Sequence, residues 1–129
     1  MANTVLCNTG VAVLTNRIIQ AGTAAKNVGW GNSTSNAAVS DTALGSEQAP
    51  TTSGGRTVGT ESRVTTTVTN DTYQVYGVVT AGSSLAITEV GLFDNVTAGN
   101  ITVHASFPPI NVNSGDSIAF TVGTKLIPG

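Results

Sequence analysis

The chain has 129 residues, of which 40% are hydrophobic and only 9% are charged, and its formal net charge is -2. Ordinary soluble domains carry about 25% charged residues, so the polarity here comes from neutral groups, namely 21 Thr, 11 Ser and 11 Asn. The five basic residues are scattered, which argues against a nucleic-acid surface, and one Cys with one His excludes an intrachain disulfide and a Cys/His zinc site.

The sequence also lacks the usual signals for export and membrane insertion. Its first residues show no basic segment followed by a long apolar stretch, so we expect no secretory signal peptide. No apolar run approaches the roughly 20 residues of a membrane span. The length suits one domain over residues 1–129, with an N-terminal arm at 1–8 and a long loop or arm at 32–55.

One amphipathic helix is predicted near the start of the chain, over residues 9–20. Val11, Leu14 and Ile18 recur at helical spacing and would form its apolar face. Thr9 is placed to cap the first turn. After this helix, a short strand with two glycines is predicted at 26–31, and its Trp30 is either a core residue or an anchor at a subunit seam.

The second half of the chain alternates between strand patterns and turns rich in Gly, Asn and Ser. Strands are predicted at 56–69, 72–81, 85–94, 101–107 and 117–127, with Pro108 ending the fourth of them. Several strands must each bury a face, and one helix cannot cover two sheets. The prediction is therefore a mainly β fold: an antiparallel, jelly-roll-like β-sandwich with one short N-terminal helix.

No constellation of residues predicts catalysis, a cofactor site or a metal site. His104 alternates onto the side of its strand opposite the apolar face, so we expect an exposed histidine. Cys7 is expected to be a buried or packed thiol without catalytic support. Glu89 is either a buried carboxylate paired with Arg56 or Arg63 or an ordinary glutamate at the rim. The chain is accordingly predicted not to be an enzyme.

Several segments in fixed order resemble a family of small virion structural proteins of tailed phages. They are NTGVAVLTNRI, VGWGNST, DTALGSE followed by Arg56, ITEVGLFD at 87–94, and HASFPPINVNSGDSIAFTV. The order spans nearly the whole chain, and the set is more specific than any single piece. Members of this family are associated with head decoration (cement) or with tail fibre and collar parts.

The resemblance implies a capsid decoration protein that clamps neighbouring major capsid subunits and stabilises the head. It implies a homotrimer on the capsid exterior, synthesised in the host cytoplasm, with the major capsid protein as partner and no contact with nucleic acid or membrane. A tail component such as a collar, baseplate or fibre domain is the alternative. A receptor- or carbohydrate-binding module is a weaker one, because only six aromatic residues are present.

Partner contacts are expected in three segments. The N-terminal arm could add as an edge strand to a neighbour, the 46–56 arm could lie across another subunit, and the tryptophan could anchor a seam. The residues concerned are Ala2, Asn3, Thr4, Val5, Leu6, Trp30, Thr51, Thr52 and Arg56.

Overall fold

The computed structural model describes residues 2–48 and 56–129. Of these residues, 48% lie in strands and 9% in the helix. The elements in order are β1 (Asn3–Leu6), α1 (Asn8–Ile18), β2 (Asn27–Gly31), β3 (Glu47–Gln48), β4 (Thr57–Val58), β5 (Thr60–Val64), β6 (Thr72–Thr80), β7 (Leu85–Phe93), β8 (Ile101–Val112) and β9 (Ser117–Lys125).

The strands form two antiparallel sheets. The first sheet has six strands in the order β1-β8-β7-β2-β3, with β4 also paired to β2, and the second has three strands in the order β5-β6-β9. The mainly β, antiparallel fold with one short N-terminal helix is therefore confirmed, in an arrangement consistent with the predicted sandwich.

The main core lies between the sheets and is built from one face of each strand. Trp30 opposes Val90 across the β2–β7 pair, and Leu92 opposes Val103 across the β7–β8 pair. Directly opposed residues in an antiparallel pair share a face, so these four side chains point to the same side, which we call the inner face. All four are buried, and they pack in one cluster with Val75 of the second sheet.

The helix is present, but its buried face is not the predicted one. Val11 and Ile18 are 52% and 81% exposed, whereas Gly10 and Val13 are buried. The reason is a close approach to β8: a Cβ on Gly10 would lie 2.5 Å from the carbonyl oxygen of Thr102. Only the side of the helix that carries this glycine can approach the sheet so closely.

Two further predictions of local structure were wrong. Thr9 does not cap the helix, which begins at Asn8, and its hydroxyl instead donates to the Ile101 carbonyl oxygen at 2.6 Å. Pro108 does not end its strand, because β8 continues to Val112. The β7–β8 register shifts between Ile87 and Glu89, and such an irregularity lets a strand carry residues that cannot donate to the ladder.

Candidate functional site

The other side of the first sheet, here called the outer face, carries a buried polar cluster. Glu89 of β7 and His104 of β8 both lie on this face, since the alternation that turns Val90 and Val103 inward turns their neighbours outward. Glu89 is 0% and His104 is 3% exposed. Two of the most polar side chains in the protein are therefore among its best-buried residues.

Glycines of the sheet make room for this cluster. Gly31 pairs with Glu89 across the β2–β7 ladder. A Cβ on Gly31 would lie 2.4 Å from a carboxylate oxygen of Glu89 and also 2.4 Å from the Ser46 carbonyl oxygen. Real Cβ contacts do not occur at such distances, so only glycine lets the carboxylate and the following chain lie flat on the sheet.

The segment between β2 and β3 covers the cluster and is tied down by Glu89. The backbone N–H groups of Ser33, Gly45 and Ser46 donate to the Glu89 carboxylate at 3.2, 2.9 and 2.8 Å. The neighbouring Thr88 hydroxyl donates to the Ser33 carbonyl oxygen at 2.5 Å. Both ends of the covering loop, which we define as residues 32–46, are thus fastened to adjacent residues of β7.

His104 bridges two carboxylates. Its Nε2 lies 2.9 Å from Glu89 Oε1 and its Nδ1 lies 2.7 Å from Asp41 Oδ2, and Asp41 belongs to the covering loop. The Asp41 carboxylate also accepts the backbone N–H of Ala38 at 2.7 Å. The covering loop is therefore held at its ends by Glu89 and at its middle by the imidazole of His104.

Hydrogen bonding outweighs burial in setting the charges of this cluster. Burial by itself would raise the pKa of Glu89, but the bonds from His104 and from three backbone N–H groups lower it below its ordinary value. Burial would lower the pKa of His104, but its two carboxylate partners raise it. Each ring nitrogen of His104 faces a carboxylate oxygen, and the protonated imidazole can donate from both nitrogens, so this geometry favours the protonated form.

Cys7 lies close to this cluster, in surroundings that disfavour its thiolate form. The thiol is 0% exposed, as predicted. Burial and the nearby Asp41 charge raise its pKa to about 11, against a smaller opposing effect of a hydrogen bond with the His104 backbone. A protonated, enclosed thiol is a poor nucleophile. With both histidine nitrogens occupied, this acid–histidine–acid cluster fastens the covering loop to the sheet.

The structure corrects the sequence predictions for both central residues. His104 is buried, not exposed, because the outer face is covered by a loop that strand alternation cannot reveal. Glu89 is a buried carboxylate, as one alternative held, but its partner is His104 and neither Arg56 nor Arg63. The available signal was the pair of glycines around Trp30, which marks a place where backbone or a buried group approaches the opposite face.

The predicted partner-contact residues lie in different environments. Residues Asn3–Leu6 form β1, which pairs with β8 of the same chain, so the arm completes its own sheet. Ala2, Asn3 and Thr4 are exposed, Val5 is half-buried and Leu6 is 38% exposed. Thr51 and Thr52 lie outside the described residues.

The two remaining contact predictions concern side chains that the fold itself uses. Trp30 is 0% exposed, so the core alternative is confirmed and no indole surface is open to a partner. Arg56 binds both carboxylate oxygens of Glu47 at 2.9 and 3.0 Å and lies 3.4 Å above the Phe93 ring. Its guanidinium also donates to two backbone carbonyl oxygens, so its donors are directed at groups of its own chain.

Within residues 2–48 and 56–129, no group of three or more His, Cys, Asp or Glu side chains is arranged to hold a metal ion. In the same residues, no helix has both the length and the apolar character to cross a membrane. Comparison with protein-family models, with curated proteins and with solved structures found no match in any of the three.

Proposed function

We propose that this protein is a structural component of a phage virion, and that it is a capsid decoration protein which braces neighbouring major capsid subunits. The proposal starts from the sequence resemblance described above. It is supported by the way the molecule distributes its charged groups, and that distribution is the observation that carries it.

Each of the seven carboxylates of the chain accepts a hydrogen bond within the described structure. Glu89 and Asp41 hold the covering loop, and Asp71 accepts the backbone N–H groups of residues 66–68. The other four carboxylates bond to the side chain or backbone of a nearby residue: Glu47 with Arg56, Glu61 with Tyr73, Asp94 with Asn100 and Asp116 with Asn113. The carboxylates therefore hold parts of the same chain together.

The surface that remains is dominated by hydroxyl, amide and aliphatic groups. Such a surface gives a free monomer little charge repulsion, but a neighbour can cover it with little cost in desolvated charge. The C-terminal end of α1 and the last residues of the chain expose apolar side chains: Ile18, Ile19, Leu126 and Ile127 are 81%, 71%, 64% and 79% exposed, and Ile18 and Leu126 line the same cavity. Exposed apolar clusters of this kind are typical of protein–protein contact sites.

Purified phage particles test the proposal. Quantitative mass spectrometry should find this chain in a copy number close to that of the major capsid protein, and a cryo-EM map should place it on the outside of the head. A handful of copies per particle, located at the neck or tail, would favour the tail component instead. Absence from purified particles would contradict both assignments.

A further inference from the structure

Among the described residues no strand pairs with the outer edge of β9, and two turn hydrogen bonds show which of its backbone groups face outward. Ala81 N–H donates to the Asp116 carbonyl oxygen, and Leu126 N–H donates to the Asp71 carbonyl oxygen, each at 2.8 Å. Both bonds continue the β6–β9 register. Because antiparallel residues alternate between bonded and non-bonded pairs, the even-numbered residues of β9 bond to β6. The odd-numbered ones therefore direct their N–H and C=O groups away from β6.

These outward groups belong to Ser117, Ala119, Thr121, Gly123 and Lys125, which define the outer edge of β9. No other described strand pairs with this edge. The opposite edge of the same sheet is β5, and there the same alternation turns Glu61 and Arg63 outward. Charged residues are a usual protection of a strand edge. The β9 edge has no charge before Lys125 and no proline, although it is nine residues long.

A slot lies beside the β9 edge, because the first sheet continues with β1 where the second sheet ends at β9. Thr4 and Leu6 of β1 oppose Ala105 and Val103 of β8, so they share the inner face. Thr4, Val103 and Ala105 line a cavity of about 140 Å³ together with residues 120–123 of β9. Leu6 is 38% exposed, and Phe120 and Val122 are only partly buried. One more strand on the β9 edge would cover these side chains.

We propose that the outer edge of β9 binds a single extended segment of another polypeptide, which adds to the second sheet as a fourth strand. The occupant is a lone strand and not the edge of a second copy. The ring centroids of Phe107 of β8 and Phe120 of β9 are 6.3 Å apart, so β8 packs over β9. Its neighbour β1 therefore lies over the vacant strand position next to β9. Two copies joined edge to edge at β9 would bring the β1 strand of each against the first sheet of the other.

Charge complementarity specifies the chemistry of that segment. Asp116, whose carboxylate also accepts the Asn113 N–H, precedes the edge and Lys125 ends it. Lys125 has no carboxylate within salt-bridge distance among the described residues. Thr67 is its only side-chain partner there. An antiparallel segment should therefore begin with an acidic residue, end with a basic one and be uncharged between. Apolar residues at every second position would face Leu6, Phe120 and Val122.

The test uses a nine-residue peptide of sequence Glu-Val-Thr-Val-Thr-Val-Thr-Val-Lys, blocked at both ends, and residue-resolved amide hydrogen exchange by NMR. Without peptide, the amides of Ala119, Thr121 and Gly123 should exchange quickly, while those of Phe120 and Val122 are protected by β6. At saturating peptide the three outward amides should slow by about tenfold or more. Unchanged exchange of these three amides at millimolar peptide would overturn the proposal.

Matched variants and a control peptide test whether the peptide binds at the outer edge of β9. Thr121→Pro removes one outward N–H without touching the β6 ladder and should abolish protection at Ala119 and Gly123. Arg63→Pro makes the corresponding change on the β5 edge and should leave binding unchanged. The peptide with Glu and Lys exchanged should bind several-fold more weakly. Protection that survives in Thr121→Pro would place the peptide elsewhere and contradict the proposal.

Sedimentation equilibrium of the free protein tests the competing occupant. A dimer that Thr121→Pro dissociates would show that a second copy occupies the edge, which would overturn the lone-strand proposal. A species whose mass is unaffected by Thr121→Pro is the expected result. All of these measurements use purified protein, so their outcome does not depend on where the protein resides in a particle.

Discussion

The outer face of the first sheet and the outer edge of β9 differ in whether their polar groups find partners within the chain. At the outer face, the covering loop brings its N–H groups to a buried carboxylate, and every charge has a partner. At the β9 edge, the backbone groups of five residues have no strand partner among the described residues, and the apolar side chains beside them stay partly exposed. The comparison separates a region that is complete within one chain from one that another chain can complete.

The largest expected effect breaks the complete region. His104→Ala leaves Glu89 and Asp41 as two buried or half-buried carboxylates without their shared cation. Removing one partner of a buried charge pair costs about 3–5 kcal/mol, and we expect a loss of that size in the free energy of unfolding, measured by urea denaturation. A loss below about 1 kcal/mol would show that the cluster is hydrated and does not fasten the loop.

Truncation of apolar residues compares the two regions directly. Leu92→Ala removes a fully buried side chain and should cost about 2–5 kcal/mol, as is usual for core leucines. Phe120→Ala, although it removes a larger side chain, should cost only about 1–2 kcal/mol because this ring is half-buried beside the slot. Equal losses by urea denaturation would mean that the β9 side is packed as well as the core.

The pH dependence of stability sharpens the assignment of charges in the cluster. The pKa of His104 is raised above its ordinary value of 6.5, so its contribution is complete below that value and is lost as pH rises through the folded-state pKa. The pKa of Glu89 is lowered from 4.5, so its contribution is complete above 4.5 and is lost as pH falls through the folded-state pKa.

The difference in stability between the wild type and His104→Gln should therefore be largest between pH 4.5 and pH 6.5, the ordinary pKa values of the two groups. It should shrink as the pH rises above the folded-state pKa of His104. Thermal unfolding measured across this pH range provides the check. A difference that grows at alkaline pH would indicate that His104 is neutral in the folded protein and that our charge assignment is wrong.

Replacing one glycine in each region by alanine should give a smaller difference in the free energy of unfolding. Gly31→Ala puts a methyl group 2.4 Å from both the Glu89 carboxylate and the Ser46 carbonyl oxygen, and overpacking of this kind costs about 1–3 kcal/mol. Gly123→Ala on the β9 edge meets only a methyl carbon of Thr72, at 3.3 Å. We expect a change within about 0.5 kcal/mol there, and urea denaturation of both variants tests the difference.

The smallest expected effect concerns the cation at the end of the β9 edge. Lys125→Gln removes a charge whose only side-chain partner in the described structure is the Thr67 hydroxyl. Exposed charges of this kind contribute about 0–1 kcal/mol, so the melting temperature should hardly change. A large loss of stability would indicate that Lys125 has a structural role within the chain and is not available to a partner.

The sequence was sufficient for the fold class and for most strands, because alternation and turn residues are local signals. It was insufficient for the outer face. His104 and Glu89 follow the same alternation as exposed residues, and only the covering loop, which is positioned by contacts far apart in sequence, buries them. The helix face was mistaken for a similar reason: Gly10 carries no hydrophobicity, yet its lack of a side chain decides which side approaches β8.

The pairing of β1 with β8 has a consequence for synthesis. Asn3 accepts a bond from Ser106, 103 positions later, so β1 cannot take its place in the sheet until β8 has been synthesised. Such distant contacts slow folding, and a nascent chain that stops before β8 would hold its N-terminus unpaired. We therefore expect the first sheet to form only after β8 has left the ribosome.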